Sequence, residues 1–113
     1  MGLGIKRPAE ALGELARAAE LEPERVRYAY VYAVGLHSAG RGGEAMTVLK
    51  EILARHPGDR ETLLALISFS RDAGDIPTAL EYAERLAGMT PGDRDVIALI
   101  ENLRRQNKPP DAR

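Results

Sequence analysis

A repeated pattern with a period of about 34 residues constrains the fold of this chain more than any other feature. The tetrapeptide Pro57-Gly58-Asp59-Arg60 recurs unchanged as Pro91-Gly92-Asp93-Arg94, and Ala39-Gly40 recurs as Ala73-Gly74. A fixed period of this length indicates one helical hairpin that is repeated, because a single hairpin cannot bury its own apolar face and must pack on its neighbours. The sequence therefore predicts stacked helical hairpins, which is an architecture typical of binding scaffolds.

Start and stop signals divide the chain into six predicted helices. A proline ends a helix because it lacks the amide that the next turn needs, Ala-Gly is a typical C-terminal signal, and an aspartate can cap an N-terminus. The helices run from about Pro8 to Leu21, Glu24 to Ser38, Gly43 to Arg55, from the cap Asp59 to Asp72, from the cap Asp75 onward, and from the cap Asp93 to about Asn107. The tail Lys108–Arg113, with its two prolines, is expected to be disordered.

The segment from Val26 to Leu36 is the one ambiguous part of this assignment. It is rich in tyrosine and valine, which favour strands on local propensity. One period later, Thr62 to Arg71 has a helical pattern, and tertiary context commonly overrides so small a preference. The repeat register therefore predicts a helix here.

Composition bounds the class of protein. The 113 residues are 44% apolar and 29% charged, as in an ordinary globular domain, and the net charge of −1 gives no general attraction to nucleic acid or anionic lipid. The chain has no cysteine, which excludes disulfides and thiolate chemistry. No run approaches the roughly 18 apolar residues of a membrane helix, and the location expected for the chain as given is cytoplasmic.

The sequence offers no pattern for catalysis or for a metal or cofactor. The only histidines, His37 and His56, lie far apart and have no carboxylates at the short helical spacings that a metal site uses. Ser38, Ser68 and Ser70 have no base in their sequence context, and no Gly-x-Ser-x-Gly motif occurs. We therefore predict no catalytic, metal-binding or cofactor-binding residues.

Two further motifs have ordinary explanations. The glycine-rich run Gly40-Arg41-Gly42-Gly43 lacks the preceding strand and the Lys-Ser/Thr ending of a phosphate loop, and it is predicted to be a turn between helices. Arg104, Arg105 and Lys108 form a small basic group at a helix end, where positive charge is favourable. Nucleic-acid binding needs a broader positive surface, so it is not expected.

The spacing and residue types together resemble the tetratricopeptide repeat, whose unit of about 34 residues is two antiparallel helices. Small residues occupy the slots where paired helices cross, glycines occupy the turn, and prolines close each unit; these are Ala33, Ala45 and Ala79, then Gly40 and Gly74, then Pro23, Pro57 and Pro91. Large apolar slots hold Tyr32, Leu36, Leu49, Leu53, Leu66 and Leu86. The chain departs from the pattern at Ala29 and Leu63, in the slot that usually holds tryptophan, and at Ile67 and Ser70.

The resemblance implies an all-α fold of the α-solenoid type, a right-handed superhelix of antiparallel helix pairs with about six helices. It further implies a single domain over residues 1–107. Its parts are a half-repeat helix (8–22), two full repeats (26–59 and 60–93) and a capping helix (94–106), followed by a disordered tail (108–113).

In the family, the first helix of each pair lines a concave groove that binds peptides or proteins. The slots that match this groove hold Arg27, Tyr30, Val34, His37, Leu64, Ser68, Arg71 and Asn102, and neighbouring groove slots hold Ser38, Glu61, Asp72, Asp95, Ala98 and Arg105. Some members clamp a terminal carboxylate with lysine and asparagine, but those slots in the first repeat hold Tyr30 and Val34. Tyr30 and Arg71 are predicted anchors, because tyrosine and arginine are enriched among residues that dominate interfaces.

The resulting prediction is a non-catalytic scaffold that binds a protein or peptide partner, with no nucleic acid and no membrane involved. Two alternatives stay open: a C-terminal accessory domain of a larger enzyme or multihaem electron-transfer protein, and a self-assembly module. The first helix lacks a partner from its own repeat, and Leu3, Ile5 and Leu12 could dock on more protein. A homodimer, or continuation of a longer repeat array through this helix, is therefore also possible.

Overall fold

The structure is a computed structural model that describes residues 8–22 and 25–107, and within these ranges all regular structure is helical. The helices are α1 (Pro8–Leu21), α2 (Val26–Ser38), α3 (Gly42–Arg55), α4 (Arg60–Asp72), α5 (Ile76–Met89) and α6 (Arg94–Asn107). The predicted all-α class is confirmed, and the six helices are consistent with a helical-repeat solenoid.

The segment rich in tyrosine and valine is helix α2, as the repeat register predicts. Arg25 has an extended backbone, with φ −92° and ψ 98°, so α2 begins at Val26 rather than near Glu24. Helix α3 begins at Gly42, one residue earlier than expected. Such differences fall within the usual uncertainty of helix ends, and they leave the order and number of elements unchanged.

The chain forms two compact units, Met1–Arg55 and His56–Arg113. In the first unit α1 packs on α2 and α2 packs on α3; in the second α4 packs on α5 and α5 packs on α6. Short connections join each packed pair, so consecutive helices are antiparallel neighbours. The assignment of residues 1–107 to one domain stays a prediction.

Helices α2 and α4 end in the same hydrogen-bonded turn, one period apart. The amide of Arg41 donates to the carbonyl of Leu36 (2.8 Å), and that of Asp75 donates to the carbonyl of Ser70 (2.9 Å). In both turns the intervening glycine, Gly40 or Gly74, has a positive φ near +80°. This is the Schellman arrangement, in which glycine reverses the chain at low cost and the last carbonyls are satisfied. It fixes where the second helix of each hairpin starts.

Aspartate side chains cap three helix N-termini, as predicted. Asp59 accepts from the amide of Thr62 (3.1 Å) and Asp75 from that of Thr78 (3.3 Å). Asp93 accepts from the amide of Asp95 (2.9 Å). Each bond satisfies an amide that has no partner within its own helix, and the negative charge also suits the positive end of the helix dipole.

Most of the residues predicted to form the core are buried. The small crossing residues Ala33, Ala45 and Ala79 are fully buried, as are Leu36, Leu49, Leu66 and Leu86, while Leu53 is nearly so. Tyr32 is only half-buried. Ile67 and Ser70, which depart from the family pattern, are also buried. The departures are therefore accommodated inside the second unit.

The two identical Pro-Gly-Asp-Arg segments make different turns. Both close with a hydrogen bond from the aspartate amide, to His56 in the first case (3.0 Å) and to Thr90 in the second (3.2 Å). Gly92 has φ +84°, which a type II turn requires at its third residue, whereas Gly58 is not among the described glycines with positive φ. Only the second turn depends on the conformational freedom of glycine.

Replacing Gly92 with alanine is accordingly expected to lower the free energy of unfolding by about 1–2 kcal/mol, the cost of holding an L-residue at positive φ. A Cβ at either glycine meets no atom within 4 Å, so steric clash does not contribute. Gly58→Ala is the matched control and should change stability little. Urea unfolding of the two variants gives the comparison, and equal losses would contradict the assignment of different turns.

Some predictions fall outside the described residues. These concern the apolar side chains Leu3 and Ile5, the helix stop at Pro23 and the tail Lys108–Arg113. Among the helices that the structure describes, none is both long enough and apolar enough to span a bilayer.

Candidate functional site

The first group of predicted binding residues lies on α2, in the first unit. The α2 stripe consists of Arg27, Tyr30, Val34 and His37. Spacings of three and four residues place them along one side of the helix. Val34 is 37% exposed although it is apolar, and Tyr30 is half-buried. Ala33 and Leu36 are buried and lie about 100° around the helix from the middle of the stripe, so α2 presents the stripe beside the side that joins the core.

The second group lies on α4, in the second unit. This helix is buried around most of its circumference, at Thr62, Leu63, Ala65, Leu66, Ile67 and Ser70. The remaining side of α4 is narrow and is not buried. We call it the α4 stripe, and it consists of Glu61, Leu64, Ser68 and Arg71. Leu64 is 39% exposed, and the stripe has a charged residue at each end, Glu61 and Arg71. Each member stands one repeat period after the corresponding member of the α2 stripe, and every one of these positions is exposed or half-buried in both units.

Asn102, the last predicted site residue, is exposed on α6. Its Oδ1 accepts a hydrogen bond from the side chain of Gln106, one turn later. The amide nitrogen of Asn102 is therefore the group of this side chain that could donate to a ligand. Asn102 stands one period after Ser68, and Asp95, Ala98 and Arg105 complete the equivalent exposed stripe on α6.

Helices α4 and α6 are joined by an ion pair that the sequence analysis missed. A guanidinium nitrogen of Arg60, in the first turn of α4, lies 3.4 Å from Oδ2 of Asp93, the cap of α6. Both helices also pack on α5. The pair therefore places the beginnings of α4 and α6 side by side. In the sequence, Arg60 follows the capping aspartate Asp59 and the next capping aspartate, Asp93, stands one period later, but this spacing alone does not establish the contact.

The two stripes of the second unit occupy the same repeat positions on α4 and α6. They consist of Glu61, Leu64, Ser68 and Arg71 on α4, and of Asp95, Ala98, Asn102 and Arg105 on α6. All are exposed except Ser68, which is half-buried. Leu64 and Ala98 occupy the same repeat position and are the apolar members of the two stripes.

These groups suit recognition rather than bond-breaking chemistry. Hydroxyl, amide and guanidinium groups can hydrogen-bond a backbone or a polar side chain, and exposed apolar carbons gain from being covered. In the ranges 8–22 and 25–107, no three histidine, aspartate or glutamate side chains converge as metal ligands would. The predicted site residues thus lie on exposed or half-buried sides of α2, α4 and α6, with four residues in each unit.

Helical hairpins repeated at one fixed period, each presenting the same side of its first helix, define a helical-repeat protein. A family model described as tetratricopeptide repeat matches residues 25–69, which span α2, α3 and most of α4. This segment is similar to the tetratricopeptide repeat, and the six helices of the described residues are consistent with such repeats. Such repeats are protein–protein interaction modules and are generally non-catalytic. The sequence matches none of the curated proteins with which it was compared.

Proposed function

We propose that this chain is a non-catalytic interaction scaffold that holds a peptide or protein segment against the exposed sides of its first helices. The proposal rests chiefly on the α4 stripe. Helix α4 is buried on every other side, yet it keeps Leu64 in solvent between polar neighbours. A partner that covers Leu64 removes apolar surface from water without any rearrangement of the helix.

The α2 stripe supports the same function from the first unit. Val34 is a second exposed apolar side chain, and Tyr30 combines an apolar ring with a hydroxyl group. Because helices hold these side chains in place before binding, the ordering cost on the protein side is small. Tyr30 and Arg71 are the anchors in this proposal, one in each unit.

The test is affinity capture from a lysate of the native organism, followed by titration of the captured segment against purified variants. Tyr30→Ala and Arg71→Ala should each weaken binding by about thirtyfold, which corresponds to the roughly 2 kcal/mol typical of anchor residues. Isothermal titration calorimetry on the purified chain measures both affinities.

Matched controls come from the same helix or from the same residue type. Tyr28→Ala removes a tyrosine on another side of α2, and Arg55→Ala removes an exposed arginine at the end of α3. Circular dichroism checks that all four variants keep their helix content. Unchanged affinity in both anchor variants, or equal losses in the controls, would reject the proposed surface.

A further inference from the structure

Helices α1 and α6 each leave uncovered a side that is buried in the equivalent helices of the chain. Helix α6 stands one period after α4, yet Ile97 is 45% exposed whereas its equivalent Leu63 is 0% exposed. Helix α1 stands one period before α3, and Ala11 is half-buried whereas its equivalent Ala45 is 0% exposed. Helix α6 thus shows the open side of a first helix, and α1 shows the open side of a second helix.

A second copy of the chain has the matching element for each open side. If α1 of one copy packed on α6 of another as α5 packs on α4, the two helices would complete a hairpin. Such a contact joins two different surfaces, head to tail, and it generates open-ended chains of copies unless they close into a ring. The residues at the centre of the contact decide whether it forms.

Both complete hairpins have uncharged residues at the centre of their helix crossing. Ile67 and Tyr82 stand seven residues before and eight residues after Gly74, so they lie across from one another in the antiparallel α4–α5 pair. They are 2% and 8% exposed. In the α2–α3 pair the same positions hold Ala33, which is 0% exposed, and Val48, which is half-buried.

The two open helices carry glutamates at these central positions. Glu101 on α6 stands one period after Ile67, Glu14 on α1 stands one period before Val48, and both glutamates are exposed. Glu14 takes part in an interaction of its own, which docking would disturb. Packing α1 on α6 would bring the two carboxylates together where the hairpins have apolar contacts. Each carboxylate would lose hydration, and like charges repel more strongly where water is excluded.

Neighbouring charges do not remove this cost. Arg104 lies one turn after Glu101, but its guanidinium nitrogen is 3.1 Å from Oε2 of Glu84, so Arg104 would have to leave that pair to neutralise the two carboxylates. Glu10, whose equivalent Thr78 is half-buried, adds negative charge to α1. The other charged residues of the two helices occupy repeat positions that are exposed in the α4–α5 pair; these are Arg17, Glu20, Arg94, Asp95 and Arg105.

We infer that Glu14 and Glu101 keep copies of this chain from joining head to tail through α1 and α6. Repeat arrays in general need polar outer surfaces for solubility. In this chain two glutamates at one crossing position perform that role, and the assembly that they prevent is a continuation of the repeat itself. The inference does not depend on the proposed function, because it concerns other sides of the helices.

The test replaces the two glutamates with the residues that α3 and α4 have at the same positions, Glu14→Val and Glu101→Ile. In analytical ultracentrifugation the natural chain should sediment as a monomer up to about 0.2 mM, and so should each single variant, since one carboxylate would still be buried in the contact. The double variant should associate at least about a hundredfold more tightly and form a series of sizes that grows with concentration.

Mixing the two single variants identifies the surfaces that meet. Glu14→Val offers an uncharged centre on α1 and Glu101→Ile offers one on α6, so an equal mixture should form dimers and nothing larger. With one variant isotope-labelled at a time, amide NMR shifts should change in α1 of the first variant and in α6 of the second.

The matched control makes the same substitutions at exposed glutamates elsewhere, Glu20→Val on α1 and Glu81→Ile on α5. It changes net charge and exposed apolar surface equally and should remain monomeric. Circular dichroism checks that every variant keeps its helix content.

Dimers in the mixture, together with growing assemblies of the double variant, support the inference. A monomeric double variant overturns it, as does association of the natural chain, because the glutamates would then not be what prevents the contact. Self-association of a single variant or of the control also overturns it, since general stickiness would explain the result. Each of these outcomes leaves the titration of Tyr30→Ala and Arg71→Ala, and with it the scaffold function, untouched.

Discussion

Leu63→Ala is expected to lower the free energy of unfolding by about 3 kcal/mol, within the range of about 2–5 kcal/mol that truncation of a buried leucine costs. Leu63 is 0% exposed on α4, which packs on α5 within the second unit. The truncation removes the transfer free energy of the side chain and leaves a cavity that neighbours fill only in part. Urea unfolding followed by circular dichroism measures the loss, and hydrogen exchange should show it in α4 and α5.

The same repeat position provides the control for this variant. Ile97 stands one repeat period after Leu63, on α6, but is 45% exposed. Ile97→Ala removes a similar volume from a site that is already half in water, so it should cost less than about 1 kcal/mol. Equal losses of unfolding free energy in the two variants would contradict the assignment of Leu63 as buried and of Ile97 as half-exposed.

The order and number of the helices could be predicted because the signals that start and stop helices agree with the 34-residue repeat period. Aspartate caps and Ala-Gly stops recur one period apart, and each has a direct hydrogen-bonding reason. At α2 the local residue propensity conflicts with the repeat register, since tyrosine and valine favour a strand and the register predicts a helix. The register gave the correct answer there because α2 belongs to a hairpin, where packing of Ala33 and Leu36 outweighs a small local preference.

Identical residues did not predict identical backbone. Pro57-Gly58 and Pro91-Gly92 read the same, yet only Gly92 has positive φ. Glycine populates both signs of φ at similar cost, so the surroundings of each turn decide between them. Repetition of this tetrapeptide therefore locates a turn without specifying its type.

The surface residues of the candidate site followed from the register, because every third or fourth residue on one side of a helix shares the same environment. Val34 and Leu64 are exposed as that reasoning requires. The Arg60–Asp93 pair could not be assigned in the same way. It joins two repeats across space, and whether a long arginine side chain reaches that carboxylate depends on helix placement that sequence spacing does not determine.

Ala45→Leu tests the predicted helix crossing in the first unit and should cost about 3 kcal/mol, at the upper end of the usual cost of overpacking. Ala45 on α3 and Ala33 on α2 are both 0% exposed, and the two helices pack together. Leucine adds three carbons where no space remains, so the helices must move apart or the side chain must leave its preferred rotamer; such overpacking costs about 1–3 kcal/mol and sometimes more.

Ala54→Leu is the control for this substitution, because Ala54 lies on the same helix with its side chain exposed. Alanine and leucine have similar helix propensities, so this variant should unfold within about 0.5 kcal/mol of the natural chain. The comparison therefore isolates the crossing from any general effect of leucine on α3. Equal stability of the two variants would mean that α2 and α3 do not approach closely at Ala45, and the small residues of the repeat would then need another explanation.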